Sequence, residues 1–173
     1  MELTDSRRIG APRDMVWSAL LNPDVLKACV PGCQEMSGSP EDGFEAVVVQ
    51  KVGPVKATFK GAVQLNDMVA PEAVTINGEG KGGAAGFAKG GAKVRLEEDG
   101  DATILHYEVE AKVGGKLAQL GSRIIDGFAK RMADQFFENF QNALEDPDGD
   151  SQSDVAENDG AAKKGWFKKL VSG

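Results

Sequence analysis

KLAQLGSRIIDGFAKRMADQFFENFQNAL, residues Lys116 to Leu144, runs twenty-nine residues without a proline. Apolar side chains recur at Leu117, Leu120, Ile124, Phe128, Met132, Phe136, Phe140 and Leu144, a three-and-four spacing that predicts one long α-helix. At ~1.5 Å per residue it spans about 43 Å, enough to cross a small domain. Leu117, Leu120, Gly121, Ile124, Ile125 and Phe128 form one broad apolar face, with Arg123, Asp126, Lys130 and Arg131 in solvent. Each four-residue step drifts ~40° about the axis, so Phe140 lies roughly 120° around from Phe128. The two halves therefore cannot bury one face against one flat surface. Gly121 and Gly127 each cost about 1 kcal/mol against alanine within a helix, which close approach to a sheet or a ligand would offset. A long C-terminal helix, wrapped by something curved, organises the chain.

Upstream the period changes to two. Val55, Ala57, Phe59, Gly61, Val63 and Leu65 alternate with Lys56, Thr58, Lys60, Ala62, Gln64 and Asn66, one dry face and one wet face. Thr103, Leu105, Tyr107, Val109, Ala111 and Val113 repeat the pattern against Ile104, His106, Glu108, Glu110 and Lys112. Further strands are expected at Phe44 to Val52, Ala73 to Gly80 and Ala92 to Glu98, punctuated by short turn sequences that favour antiparallel hairpins. Before them come a strand from Glu2 to Gly10 and two short helices, one opened by Ala11-Pro12 and one, PDVLKAC, opened by Asn22-Pro23. The fold class is α+β: a strand, two short helices, a curved antiparallel meander, then the long helix.

A strongly curved sheet does not close flat against one helix, and a space between them is expected. The residues aimed at it are Ala57, Phe59, Val63, Leu65, Val94, Leu96, Leu105, Tyr107, Val109, Leu120, Ile124, Phe128 and Met132. A filled core is the plain reading. The small residues Ala57, Gly61, Ala92, Ala111 and Gly121 on the same faces favour retained volume for a hydrophobic molecule. Gly78 to Gly91, GEGKGGAAGFAKGG, does not match a phosphate loop, since no Gly-Lys is followed by Ser or Thr at the required spacing. It reads as bent, glycine-broken strands with a mobile tip.

The net charge of −7 is unevenly placed: Glu145 to Ala162 holds seven acids and no base, and the last eleven residues hold four lysines and no acid. An acidic body argues against nucleic acid as a partner. MELTDSRRIGAPRD lacks the apolar region of a secretory signal, and no run approaches the ~20 apolar residues of a spanning helix, so a cytoplasmic location is expected. Cys29 and Cys33 are too few for a zinc site with the lone histidine, His106, far away, and read as structural thiols; a redox switch is the alternative. Three regions follow: a folded domain at 1–144, an acidic linker at 145–162 expected to be disordered, and a tail at 163–173. In a helix, Trp166, Phe167, Leu170 and Val171 of the tail share one face with Lys168 and Lys169 opposite, a pattern suited to a membrane surface.

The element order resembles the helix-grip fold of plant pathogenesis allergens, START lipid carriers and polyketide cyclases. Four stretches in order, PRDMVWSALLNPDVLKACVPGC, KVGPVKATFKG, GGAAGFAKGGAKVRL and GSRIIDGFAKRMADQFFENF, resemble the carbon monoxide dehydrogenase G-subunit family. The resemblance covers Met1 to about Leu144. It implies an accessory protein of molybdenum hydroxylases that recruits the enzyme to the inner face of the cytoplasmic membrane and handles a respiratory quinone. Menaquinone and ubiquinone are the candidate ligands, with no covalently bound cofactor. Two other functions stay open: a maturation chaperone using exposed Phe136, Phe137 and Phe140, and a cyclase or hydrolase. The enzyme reading needs an inward acid or base; Tyr107 is the one titratable candidate on the dry face, and no catalytic set and no metal site is expected.

Overall fold

The computed structural model describes residues 1–145. The linker beyond Glu145 and the 163–173 tail, with Trp166, Phe167, Lys168, Lys169, Leu170 and Val171, lie outside the described residues. Strand β1 (Glu2–Ile9) leads into α1 (Arg13–Leu20) and α2 (Pro23–Cys29). Strands β2 (Cys33–Ser39), β3 (Gly43–Val52), β4 (Val55–Val69), β5 (Ala73–Lys81), β6 (Phe87–Asp99) and β7 (Ala102–Gly114) follow, then α3 (Lys116–Gln119) and α4 (Ser122–Glu145). Asn22 caps α2, its side chain accepting from the Asp24 amide at 2.9 Å. The seven strands form one antiparallel sheet in the order β1-β7-β6-β5-β4-β3-β2, a meander whose last strand takes β1 on its far edge. The α+β architecture read from the sequence is the one observed.

Two apolar clusters join α4 to the sheet, as the drift of its apolar stripe requires. Phe137, Phe140, Ala143 and Leu144 pack with Ile9, Val16, Trp17, Val25, Leu96, Leu105 and Tyr107. Near the other end, Ile125 packs with Val52 and Leu117, and Phe128, Leu120, Phe59 and Val113 lie against them. Side chains of α4 also cover the β1 edge, which otherwise offers unpaired backbone. Gln141 Nε2 donates to the Arg8 carbonyl at 2.7 Å, and the Gly10 amide donates to Glu145 at 2.7 Å. Glu145, placed in the linker by sequence, is part of α4.

Four expectations are corrected. The Lys116–Leu144 helix is broken, because Gly121 takes φ +90° and separates α3 from α4. The glycine-rich stretch does not interrupt its strands: β5 runs to Lys81, β6 starts at Phe87, and a three-residue 3₁₀ turn, Gly83–Ala85, joins them. Backbone pairing, which needs no side chain, continues through Gly78, Gly80, Gly90 and Gly91. Strand β2, with its bulge between Cys33 and Glu35, was not foreseen, since CQEMSGS lacks apolar alternation. Finally, Phe137 and Phe140 are 7% and 0% exposed and Phe136 is half-buried, so the exposure that the chaperone reading gave these three residues is not observed; they pack in the core beside β1.

Candidate functional site

The concave face of the sheet changes character along its strands. Towards the hairpin turns joining β4 to β5 and β6 to β7 it is filled by the larger cluster. Towards the opposite turns it is a trough of about 410 Å³ lined by all strands from β2 to β7 and by Val30. Strand pairing explains its shape. Gly61 of β4 faces Gly80 of β5, which faces Ala88 of β6; in the next inward row Gly78 faces Gly90, which faces Ala111 of β7. Ala46 of β3 pairs with Gly61 and extends the row. A contiguous floor is thus built from residues that carry one methyl group or none. Met36, Phe44, Val48, Phe59, Val63, Ile76 and Val109 form its sides. Glu79, Lys89 and Glu110 border it through their backbone, because strand alternation turns their side chains to the other face.

The glycines differ in what they exclude. A Cβ at Gly80 would meet nothing within 4 Å, and one at Gly61 only the Glu79 carbonyl at 3.5 Å. A Cβ at Gly90 would stand 2.1 Å from the Glu110 carbonyl, and one at Gly82 would overlap the Phe59 ring at 2.4 Å. Gly90 and Gly82 are thus required by packing, whereas at Gly80 and Gly61 the side chain is missing where space exists.

The residues assigned to the cavity from sequence fall into several places. Phe59, Val63 and Val109 line the trough. Val94, Leu96, Leu105 and Tyr107 are buried in the larger cluster, and Leu65 packs against it, because α1, α2 and the second half of α4 fill that end. Ala57 lies beside the β3–β4 turn with Pro54, Val55 and Ala84, outside the trough. Leu120 and Phe128 belong to the smaller cluster, Ile124 is 39% exposed, and Met132 joins Phe128 in a separate polar groove with Gln50, Arg131 and Glu138. Sequence reasoning missed Gly78, Gly80, Ala88 and Gly90, although continuing the period of two through the glycine-rich stretch places all four on the dry face.

Titratable chemistry lies off the trough floor. The Tyr107 ring stacks on Phe137 at 5.1 Å between centroids. The Arg7 guanidinium lies 5.1 Å from the Phe137 ring centroid and hydrogen-bonds the Asp134 carboxylate. The hydrogen bond from Arg7, joined by one from Lys130, holds Asp134 below the ordinary carboxylate range. His106 is on the opposite face, between Ser6 Oγ at 2.8 Å and Glu97 at 2.9 Å. Burial pushes the Cys29 thiol up to about 11, so at neutral pH it is not a thiolate; desolvation also raises Cys33, which donates to the Glu35 carbonyl at 3.2 Å. Among the described residues no group of His, Cys, Asp and Glu is arranged to hold a metal ion, and no helix is long and apolar enough to cross a membrane.

Solved structures share this architecture. A conserved protein from Geobacillus kaustophilus superposes with a TM-score of 0.78 at 27% identity, covering 84% of this chain and 95% of that one. A START superfamily protein from Mycobacterium smegmatis superposes with a TM-score of 0.63 at 12% identity, covering 83% and 97%. A protein from Chromobacterium violaceum gives 0.62 at 14% identity, covering 84% and 99%. The fold is START-like. No curated protein matches the sequence. The family model for CoxG, the G-subunit of carbon monoxide dehydrogenase, matches residues 6–145, and the chain belongs to this family, which implies an accessory role to carbon monoxide dehydrogenase.

Proposed function

We propose that the trough binds a lipophilic molecule, a respiratory quinone such as menaquinone or ubiquinone. In this reading the protein is a non-catalytic adaptor that brings a molybdenum hydroxylase of the carbon monoxide dehydrogenase type to the inner face of the cytoplasmic membrane. The observation that carries the proposal is the floor of Gly61, Gly80, Ala88, Gly78, Gly90 and Ala111. Six neighbouring positions on three hairpins carry one methyl group or none, on a face that is filled with Leu, Val and Tyr further along. The volume falls in the range of about 300–1,000 Å³ typical of small-molecule sites, and such apolar walls suit a hydrocarbon chain or an aromatic ring. The tail at 163–173 supplies the membrane contact in this reading, with Trp166 and Phe167 at headgroup depth.

The test is solvent extraction of the purified protein followed by mass spectrometry, on the parent and on Gly80→Leu. Quinone in the parent extract and its loss from the variant are expected. Equal quinone in both extracts would put the site elsewhere. Deleting residues 163–173 is expected to move the protein from membrane to supernatant without altering its melting temperature.

A further inference from the structure

In this meander the hairpin turns alternate between the two ends of the sheet, and charge follows them. The β2–β3, β4–β5 and β6–β7 turns bring Glu41, Asp42, Asp67, Glu72, Asp99 and Asp101 to one end. The opposite end collects lysines. Strand register sets Lys51 opposite Lys56, Lys60 opposite Lys81, and Lys89 opposite Lys112, all on the convex face and all exposed. Lys116, at the start of α3, is exposed nearby.

Like charges set directly across a strand pair are destabilising, and this end repeats the arrangement three times. None of these lysines enters an ion pair among the described residues. Acids are interspersed: Glu79 faces Lys89 and lines a convex-face groove with Glu35, Glu45, Lys60 and Lys81, and Glu110 faces Gly91 beside the Lys89–Lys112 pair. The other lysines of the described chain are Lys27, Lys93, which faces Glu108, and Lys130, which pairs with Asp134. In a chain of net charge −7, seven of the ten lysines of the described residues thus gather at one end, in excess of the acids among them. Two exposed apolar side chains accompany it. Phe87, 41% exposed, lies across Gly114 in the same row as Lys81, and Ile124, 39% exposed, stands beside Gly53 in the β3–β4 turn.

We infer that this basic end is a docking face for an anionic lipid surface. The lysines stand over the headgroups, and Phe87 and Ile124 reach the interface between headgroups and chains. The residue type favours a membrane: lysine is a compact point charge suited to a diffuse anionic field, whereas forked recognition of a carboxylate or phosphate calls for arginine. The acidic end points away, and the charge separation orients the body before contact. This extends the proposed membrane recruitment but rests on other residues than the tail, so the two readings fail separately.

The test is sedimentation of the full-length chain with phosphatidylcholine vesicles, with and without phosphatidylglycerol. The variant Lys51→Gln/Lys81→Gln/Lys112→Gln takes one lysine from each pair. Lys27→Gln/Lys93→Gln/Lys130→Gln removes the same charge elsewhere. The first set is expected to lose roughly ten- to a hundredfold in affinity for anionic vesicles, with a shallower salt dependence, no change on neutral vesicles and an unchanged or higher melting temperature. The second set is expected to lose little. An equal fall in both sets would reduce the effect to net charge and overturn the inference. So would a lowered melting temperature in the first set, which would make the lysines structural. Unchanged binding of the first set would also overturn it, leaving the face to an acidic protein or to the chain's own acidic segment. Trp166→Ala/Phe167→Ala in the same assay reads the tail alone: if only that variant loses binding, recruitment stands and the basic face does not.

Discussion

Strands β4 to β7 carry two different surfaces on one face. At one end they present Leu65, Val74, Val94, Leu96, Leu105 and Tyr107, packed beneath α1, α2 and the second half of α4. A few residues along the same strands the positions hold Gly61, Gly78, Gly80, Ala88, Gly90 and Ala111. Backbone pairing is continuous from one end to the other, so the sheet does not need the large side chains in order to form. Stability comes from the filled end, where apolar burial contributes ~25 cal/mol per Å². The floor of small residues contributes little side-chain burial and is held by backbone pairing continuous with the filled end. An unfilled floor beside a packed core is what the proposed carrier site requires.

The sharpest way to break the comparison is to empty the filled end. Phe140 is 0% exposed and stacks on Phe136 at 5.6 Å between centroids. Phe140→Ala should cost about 3–5 kcal/mol, read as an early midpoint in chemical denaturation. A loss below ~1 kcal/mol would mean that the anchoring of α4 lies elsewhere.

Filling the bare end should do the reverse. A leucine at Gly80 enters open space and replaces a residue that weakens a strand, so stability should change by less than ~1 kcal/mol while lipophilic binding is lost. Gly90→Leu is the counterpart: its Cβ would collide with the Glu110 carbonyl, and the sheet should be destabilised outright. If the two leucine variants melt alike, the distinction between required and withheld glycines is wrong.

How legible this was depended on side-chain period. The two periods, three-and-four in Lys116–Leu144 and two from Val55 onward, sufficed for the fold class and for the drift that gives α4 two packing faces. They failed where side chains are too small to register. Gly121 looked like a close-approach glycine inside a helix, but only its φ of +90° shows that it ends one helix and precedes another. The stretch Gly78–Gly91 looked like broken strands because strand propensity is judged by side chains, whereas pairing is made by backbone. For the same reason the cavity was assigned to the visible apolar residues. Of these, Phe59, Val63 and Val109 do line the trough, but Val94, Leu96, Leu105 and Tyr107 fill their own end. Aromatic residues at 136, 137 and 140 looked like a partner surface because no sequence pattern tells a helix face turned to solvent from one covered by α1, α2 and β1.

Between the two ends, Arg7 of β1 ties the middle of α4 down through Asp134, and acid should loosen that tie by the smallest of the effects considered. The Asp134 carboxylate accepts hydrogen bonds from Arg7 and from Lys130, one turn earlier on the same helix at 3.2 Å, and both favour the ionised form. A carboxylate held below its unfolded value contributes stability that is fully present above that value, about 3.9 for aspartate. The contribution is lost as pH falls through the folded value. Asp134→Asn removes the titrating group, so the variant should melt slightly earlier than the parent at neutral pH, and the gap should close in strong acid, where the parent is protonated as well. The side chain is about half exposed, so salt should narrow the gap at neutral pH too. Arg7 would retain its place over the Phe137 ring and its 4.0 Å contact with Asp5. The bare trough shares no side chain with this link, and lipophilic binding at neutral pH should be the same in both proteins. Melting curves that stay parallel from neutral pH into strong acid would mean that the Arg7–Asp134 link carries no measurable energy, and that the buried aromatic contacts alone hold α4 to the filled end.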